Sequence, residues 1–249
     1  MSRQVLDEHR RVWTRKVVLA QIYGVWFDAL LAALPAGGRI LELGAGPGFL
    51  APYARGRDPR IRWLASDLIE TPWNDLVADG LRLPVRTAAL DAIAGLDLVH
   101  HLGHPAAFFE EAARALRPRG RIAVVEPWVT PFSFPVYRWL HQEGCRLGLD
   151  PWDPFGRGPG ELKDAFEGDA AVVFQLVRRT PKEHWAALGF EPPRTRILNG
   201  FAYLLSLGFK HACLLPRPLL PLLLGLDRWL GWAAPALGLR ALVLWERRD

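Results

Sequence analysis

The stretch RILELGAGPGFL, residues 39–50, decides how the rest of the chain is interpreted. Its first half is apolar except for Glu42, which is typical of a central parallel strand covered on both faces. Gly44, Gly46 and Gly48 follow at every second position. Glycine lets the backbone turn sharply and lets a ligand lie against the main chain. A helix that begins there directs its unpaired N–H groups toward such a ligand.

Three interpretations of this glycine loop are open. The dinucleotide-binding fingerprint places its third glycine three residues after the second, but Phe49 occupies that position. A strand-to-helix turn without a ligand is the second interpretation. In the third, Glu-Leu-Gly-Ala-Gly-Pro-Gly resembles the first motif of class I S-adenosylmethionine-dependent methyltransferases, and this is the one that we favour.

The spacing of later motifs supports that resemblance. Asp67 lies about twenty residues beyond the loop, where an α/β nucleotide-binding fold places a carboxylate for the ribose hydroxyls; the alternative is a surface capping residue. Asp79 opens Asp-Gly-Leu-Arg-Leu-Pro, which resembles the family's Asp-Ala-x-x-Leu-Pro, whose acid faces the adenine amino group; the alternative is a plain Asp-Gly turn. Asp97-Leu-Val-His-His-Leu and Leu-Arg-Pro-Arg-Gly-Arg resemble its later motifs, so that the resemblance covers residues 36–127.

The alternation of strands and helices predicts an α/β fold with a doubly wound parallel sheet. Strands are expected at residues 39–43, 61–66, 76–78, 90–96, 121–126, 194–198 and 239–246, and helices at 7–34 (with a break near Gly24), 49–55, 105–116 and 161–190. The resemblance implies a Rossmann-like, seven-stranded, mostly parallel sheet with a C-terminal strand hairpin that an apolar helical insertion interrupts. We expect one domain, composed of an N-terminal helical lid (1–35), a cofactor-binding core (36–127), a substrate-side segment (128–200), the apolar insertion (201–238) and a last strand (239–249).

The resemblance also implies the cofactor, S-adenosyl-L-methionine, and its binding residues. In the family the acid at Glu42 lies under the methionine end, and Gly80 and Leu81 flank the adenine ring. The expected cofactor-binding residues are Glu42, Gly44, Ala45, Gly46, Gly48, Asp67, Leu68, Asp79, Gly80, Leu81 and Leu96. Within the family, the chain looks most like the small-molecule branch, such as the quinone-biosynthesis methyltransferases.

A general base is needed only if the methyl acceptor must lose a proton. Histidine is best suited to this near neutral pH. We rank His100 and His101 first because they follow the fourth strand, ahead of Glu126, Tyr137 and His141. The aromatic stretch 128–160 and the lid are expected to contact the substrate, through Trp13, Tyr23, Trp128, Tyr137 and His141. A satellite core of aromatic side chains is the alternative.

Composition limits the partners and the setting. Cys145 and Cys213 lie far apart in the sequence and form no metal-type pair, so we predict no metal site and a reducing cytoplasm. The charged N-terminal stretch shows no secretion signal. A net charge of +5 suits nucleic acid, an anionic membrane or an acidic substrate. No Asn/Asp-Pro-Pro-aromatic turn follows the fourth strand, and no RNA-binding module is recognised, so we expect no nucleic-acid partner.

The insertion at residues 201–238 is highly apolar, and its Pro-broken runs are too short to span a bilayer. A helical face is expected to contain Leu219, Leu222, Leu223, Leu226, Trp229 and Leu230, with Arg217, Asp227 and Arg228 outside it. This face is expected to lie in a membrane interface, at a homodimer contact or in the core. We therefore predict a methyltransferase for an apolar small-molecule or lipid-like acceptor, cytoplasmic or peripheral to the inner face of the membrane. A non-catalytic partner or cofactor-binding subunit on the same scaffold is the alternative.

Overall fold

The computed structural model describes residues 2–140, 143–156 and 167–249, which contain a seven-stranded sheet of order β3-β2-β1-β4-β5-β7-β6. The strands are β1 (Arg39–Glu42), β2 (Arg62–Asp67), β3 (Leu76–Val77), β4 (Leu90–Leu96), β5 (Leu116–Pro127), β6 (Arg194–Leu198) and β7 (Arg240–Glu246). Strands β1 to β5 pair in parallel, whereas β7 is antiparallel to both β5 and β6. The predicted fold class and its C-terminal hairpin are therefore confirmed.

Helices cover both faces of this sheet. They are α1 (Ser2–Arg15), α2 (Val17–Ala33), α3 (Leu50–Arg57), α4 (Pro105–Ala115), α5 (Ser133–Trp139), α6 (Val172–Arg179), α7 (Lys182–Ala187), α8 (Phe201–Ser206), α9 (Leu220–Trp229) and α10 (Ala234–Leu237). One buried cluster joins α4, α6 and α7 to the sheet, and a second joins α2 and α3 to its other face. Because adjacent residues of a strand point to opposite faces, Leu41 and Ile40 enter different clusters.

Strand β5 is longer than the expected 121–126. It begins at Leu116, which pairs with Leu90, and the register then shifts so that Ala92 pairs with Arg121. Arg119 has a φ of 64° within this irregularity. Residues 117–120 were expected to lie between the end of a helix and the start of this strand, whereas the structure accommodates them as an irregularity within the strand, as a bulge adds residues to one strand without ending it.

The sequence predicted a break in the N-terminal helical segment near Gly24. The structure places the break at Lys16 instead. Helices α1 and α2 meet there at 104°. The buried Lys16 Nζ contacts the carbonyl oxygens of four residues of the insertion at 2.6–2.8 Å: Ser206, Gly208, Lys210 and Ala212. Gly24 lies inside α2, where a Cβ would be 3.6 Å from the Tyr53 hydroxyl. Tertiary hydrogen bonding of Lys16 thus sets the break, and a side chain at position 24 would fit beside Tyr53 at an ordinary van der Waals distance.

Two expectations for the second half of the chain are corrected. In the described part of residues 161–190, two short helices, α6 and α7, replace one helix, and Pro181 precedes the second because it fits a helix start. The expected position of Asp227 outside the apolar face is also wrong, because its carboxylate turns inward to accept the Phe201 N–H at 3.0 Å. Leu223, on that face, packs against the core, which was one of the alternatives left open.

Among the described residues, no single helix has the length and apolarity to cross a membrane. Helices α1 and α2 meet those criteria only as a bent pair. Most of α2 is buried against the sheet and α3, with Leu19 and Leu30 fully buried.

Candidate active site

The glycine loop and the end of β2 are joined by one carboxylate. Gly44, Gly46 and Gly48 have φ values of +65°, +52° and +74°, which other residues adopt at a cost. The Gly46 N–H donates to Asp67 Oδ2 at 2.8 Å, and the Ile69 N–H donates to Oδ1 at 3.0 Å. Asp67 therefore lies beside the loop, as a ribose-binding residue must, and each of its oxygens keeps a lone pair for a further donor.

The space above the first two glycines fits a close ligand. A Cβ on Gly44 would be 3.4 Å from Leu98, and one on Gly46 would be 3.9 Å from its nearest neighbours. Gly48 differs from these two, because a Cβ there would be 2.3 Å from the Trp73 ring. Trp73 also donates from Nε1 to the Gly46 carbonyl at 2.8 Å. The absence of a side chain at Gly48 admits Trp73, which the sequence reasoning missed, and the contact of Gly48 with the cofactor stays a prediction.

Helix α1 covers the glycine loop. Arg10 Nη1 donates to the Pro47 carbonyl at 2.5 Å, and its guanidinium lies 4.4 Å from the centre of the Trp73 ring. Trp13 stacks on Phe49 at 3.9 Å between centroids. The segment expected to form a lid thus packs on the loop through stacking and a cation–π contact.

Glu42 is buried at the end of β1, where its carboxylate accepts the Trp63 Nε1–H at 2.7 Å. Burial raises the pKa of the Glu42 carboxyl to about 7, although the Trp63 hydrogen bond opposes that rise. The carboxylate thus lies directly below the glycine loop on the α3 side of the sheet, and its contact with the cofactor stays a prediction.

The expected adenine pocket lies at the neighbouring strand ends. The Asp79 carboxylate accepts the N–H of Leu81 at 2.9 Å, which places both in one turn. Gly80 faces Phe108, 3.4 Å from where a Cβ would be. Leu68, directly after Asp67, is 59 % exposed, and its contact with the adenine stays a prediction. Leu96, at the end of β4, is half-buried, and Ala45 is buried beside the loop.

His100 and His101 follow β4 in a single turn of 3₁₀ helix, Val99–His101, with ring centroids 4.1 Å apart. His100 lies between two glutamates: its Nδ1 is 2.5 Å from Glu126 Oε2 and its Nε2 is 3.0 Å from Glu143 Oε2. His101 Nδ1 lies 3.0 Å from the carbonyl oxygen of Glu167. The structure thus brings Glu126 and both histidines together at the end of β4, and adds Glu143.

The pKa values of the two histidines are shifted in opposite directions. Burial alone lowers the pKa of His100, but Glu126 and Glu143 reverse that effect and raise it to about 10. Burial and the neighbouring His100 charge lower the pKa of His101 to about 4. Of the two predicted bases, only His101 is therefore neutral near pH 7, the state in which a base can accept a proton.

A buried ion pair beside the histidines was not foreseen. Arg240, at the start of β7, forms two hydrogen bonds to the Asp97 carboxylate, of which Nη2–Oδ2 measures 3.1 Å. Its guanidinium also lies 4.7 Å from the Trp26 ring. Because 143 residues separate the two partners in the chain, no local sequence pattern predicts the pair. The one available signal was Arg240 itself, a charged residue at the start of the largely apolar strand β7.

The predicted substrate residues are distributed over two places. Tyr23 is buried and hydrogen-bonded to Tyr203 beside Arg240, and Tyr137 donates its hydroxyl proton to the Leu239 carbonyl. Trp128 follows β5 and packs edge-on against Phe174 at 5.2 Å. Trp13 remains in the lid, stacked on Phe49 as described. His141 lies outside the described residues. Tyr23 and Tyr137 therefore lie close to the Asp97–Arg240 pair, Trp128 lies at the end of β5, and Trp13 lies over the glycine loop.

Comparisons with known proteins agree with this geometry. Residues 41–124 match the family described as methyltransferase domain. The tRNA (carboxymethyluridine(34)-5-O)-methyltransferase ALKBH8 of Mus musculus is 33 % identical over 160 residues, which cover 61 % of this chain. The chain spans only 22 % of the length of that relative.

Solved structures show the same fold. Geranyl diphosphate C-methyltransferase from Streptomyces coelicolor A3(2) is 12 % identical, with a TM-score of 0.55, covering 93 % of this chain and 83 % of that one. A methyltransferase of Haloferax volcanii, solved with the Trm112 methyltransferase activator, is 15 % identical, with a TM-score of 0.53, covering 97 % and 94 %.

The fold, the glycine loop and the Asp67 contact define an α/β domain that binds a nucleoside-containing cofactor at the carboxyl ends of its strands. Residues 41–124 match a methyltransferase domain, solved S-adenosylmethionine-dependent methyltransferases have the same fold, and S-adenosyl-L-methionine is the cofactor.

Proposed function

We propose that this protein transfers the methyl group of S-adenosylmethionine to an apolar, lipid-like acceptor. The observation that carries the acceptor class is the exposed apolar surface of the insertion, formed by Leu219, Leu222, Leu226, Trp229 and Trp232, which we call the leucine–tryptophan surface. Trp229 and Trp232 are 70 % and 76 % exposed. Side chains of this kind favour the interface of a bilayer, where an acceptor of that class resides.

The donor half of the reaction rests on the glycine loop and Asp67. The cofactor supplies a methyl group that its sulfonium already activates. The protein must therefore align the acceptor and exclude water. Asp67 would accept the ribose hydroxyls, and the loop glycines would admit the methionine end. His101 would take a proton at Nε2 if the acceptor loses one.

Aromatic side chains support an apolar acceptor near the histidines. Trp128 and Phe174 form an edge-to-face pair where β5 ends, and Phe132 packs against Phe201 of the insertion at 5.2 Å. Such rings bind apolar groups with few hydrogen bonds. The site and the insertion are therefore contiguous through Phe132 and Phe201.

We further propose that the leucine–tryptophan surface binds an anionic membrane. Arg217 and Arg228 are exposed on the same segment and add positive charge beside the apolar side chains. Apolar burial and attraction to anionic lipids add together in interfacial helices. The protein would then be cytoplasmic and would act at the inner face of the membrane.

Two other functions compete with this proposal. The curated relatives are named as tRNA methyltransferases, and the net charge of +5 would suit tRNA. The second competing function is that of a non-catalytic partner subunit that binds the cofactor without turnover. The conserved fold alone does not separate these functions, because one scaffold hosts many acceptors.

Transfer of radiolabelled methyl from S-adenosylmethionine tests the acceptor class. The protein is incubated in parallel with a membrane-lipid extract and with total tRNA. Label in the lipid fraction supports the proposal, and label in tRNA alone contradicts it. Cofactor binding by calorimetry without label in either fraction would favour the non-catalytic function.

Sedimentation with vesicles tests the membrane. The chain should pellet with vesicles rich in anionic lipid, and Leu222→Ser combined with Trp229→Ser should leave it in the supernatant. Trp139→Ser is the matched control, because Trp139 is 73 % exposed but lies on α5, outside the insertion. A dimer that the double substitution dissociates, without vesicle binding by the unchanged chain, would assign the surface to a second copy instead.

A further inference from the structure

We propose that His100, His101 and Glu143 form a binding site for a divalent first-row transition-metal ion. One nitrogen of each histidine and one Glu143 oxygen all lie within 4.8 Å of one another. His100 Nε2 is 3.0 Å from Glu143 Oε2, and His101 Nε2 is 3.7 Å from Glu143 Oε1. In a tetrahedral zinc site, with bonds of about 2.0–2.2 Å, the ligand atoms are roughly 3.3 Å apart. These atoms can therefore surround one ion after small side-chain movements, once the ion has displaced the proton that His100 Nε2 holds toward Glu143.

The second nitrogen of each imidazole is already held by an acceptor. His100 Nδ1 contacts Glu126 Oε2, while the other Glu126 oxygen accepts the N–H groups of Leu98 at 3.0 Å and Val99 at 2.6 Å. His101 Nδ1 contacts the Glu167 carbonyl. Histidines that bind metals almost always donate their other N–H to a carboxylate or a backbone carbonyl. Both partners of that arrangement are present here.

These hydrogen bonds fix where the lone pairs point. A carbonyl oxygen only accepts, so His101 carries its proton on Nδ1 and presents a lone pair at Nε2. That lone pair faces the Glu143 carboxylate, another acceptor, across 3.7 Å. Two acceptors that face each other at this distance are joined favourably by a cation. A metal ion would join them directly and would take the place of a proton at His101 Nε2, so His101 could act as a base only in the metal-free protein.

The rings are held in place by backbone packing. Gly168 lies over both imidazoles, and a Cβ there would be 2.8 Å from His101 Cε1 and 3.0 Å from His100 Cδ2. The Asp169 N–H donates to the His100 carbonyl at 3.3 Å. A preorganised ligand pair loses little conformational entropy when it binds an ion. Two imidazoles and one carboxylate suit zinc, iron, nickel or cobalt better than magnesium or calcium.

The position of the site gives the metal a chemical role. Three protein ligands leave a coordination position open to water or to an oxygen of an acceptor. The site lies at the end of β4, beside Glu126 and near Trp128, on the side assigned above to the acceptor. The prediction of no metal site rested on the two cysteines, and Glu143 is too remote from the His-His pair for a ligand spacing to signal it. Metal binding can be measured without cofactor or acceptor, so this inference does not depend on the methyl-transfer proposal.

Cobalt titration of the full chain, after dialysis against a chelator, tests the site. We expect visible d–d absorption bands that saturate at one Co²⁺ per chain, and calorimetry with Zn²⁺ alone should give the same stoichiometry. Altering a residue that only hydrogen-bonds a metal ligand typically weakens metal binding by about 10–100-fold. His101→Asn and Glu143→Gln remove ligands themselves, so each should weaken Co²⁺ binding by more than that. Glu126→Gln alters only the hydrogen-bond partner of His100, so it should weaken Co²⁺ binding by about 10–100-fold.

Matched substitutions separate this site from adventitious binding. His211→Gln and Glu110→Gln remove exposed side chains of the same types outside the cluster and should leave Co²⁺ binding unchanged. Circular dichroism checks that each variant is folded. The proposal is overturned if the unchanged chain gives no saturable bands, if folded His101→Asn binds Co²⁺ as tightly as the unchanged chain, or if the control variants lose binding equally.

Discussion

The cofactor-binding core and the insertion differ in how their side chains are used. In the core, polar groups at the strand ends have defined partners: Asp67 accepts two loop amides, and Glu42 accepts the Trp63 indole. In the insertion, large apolar side chains such as Leu222 and Trp229 face outward. A lone soluble chain gains nothing from that exposure. The contrast agrees with the proposal that the core binds the donor and that the insertion meets an apolar partner.

The largest contrast is expected from glycine substitutions. Gly48→Ala places a Cβ 2.3 Å from Trp73 at a φ of +74°, so it should destabilise the fold by about 3 kcal/mol. Gly225→Ala lies within α9 with nothing inside 4 Å of the new Cβ, and it should stabilise by about 0.5–1 kcal/mol. Urea unfolding of both variants measures the difference. Equal changes in the free energy of unfolding for the two variants would show that the glycine loop and the insertion do not differ in how tightly they are packed.

Glu42 should make stability depend on pH. Its folded pKa of about 7 lies above the ordinary 4.5, so the folded state binds more protons between those values. Its stabilising contribution is fully present below pH 4.5 and is lost as pH rises through 7, by about 3 kcal/mol in total. Glu42→Gln should abolish that decline. The free energy of unfolding of both proteins, measured at pH 5 and pH 8, checks this. An equal change between the two pH values in both proteins would refute the raised pKa of Glu42.

Asp67→Asn should weaken cofactor binding about 100-fold, because charge-assisted hydrogen bonds to the two ribose hydroxyls are lost. Calorimetry with S-adenosylmethionine measures this. Glu70→Gln, an exposed carboxylate nearby, is the control. An affinity unchanged in folded Asp67→Asn would remove Asp67 from the site.

The smallest expected effect is on the stability of the insertion surface. Leu222→Ser removes a side chain that is 70 % exposed, so the free energy of unfolding should change by less than about 0.5 kcal/mol. Leu220→Ala, on the buried side of the same helix at 1 % exposure, should cost about 2–4 kcal/mol. Similar losses for both, in urea unfolding, would mean that Leu222 belongs to the core.

The sequence predicted what local patterns encode. Strands β4 and β6 have the expected bounds, because each is a short apolar or β-branched run between turn residues. Asp67 is the last residue of β2, one position inside the expected exit.

The remainder depends on contacts between distant residues. The Lys16 clamp, the Asp97–Arg240 pair and the approach of Glu143 to the histidines each join residues far apart in the chain. Periodicity cannot register such contacts. Asp227 shows the consequence: helical spacing placed it outside, but its hydrogen bonds to the start of α8 turn it inward.

Amide hydrogen exchange with and without S-adenosylmethionine tests the division between core and insertion most directly. We expect slower exchange at residues 44–48, 67–69 and 79–81 when the cofactor binds, and unchanged exchange at residues 219–232. Protection confined to the insertion, or no protection at the glycine loop at saturating cofactor, would contradict it.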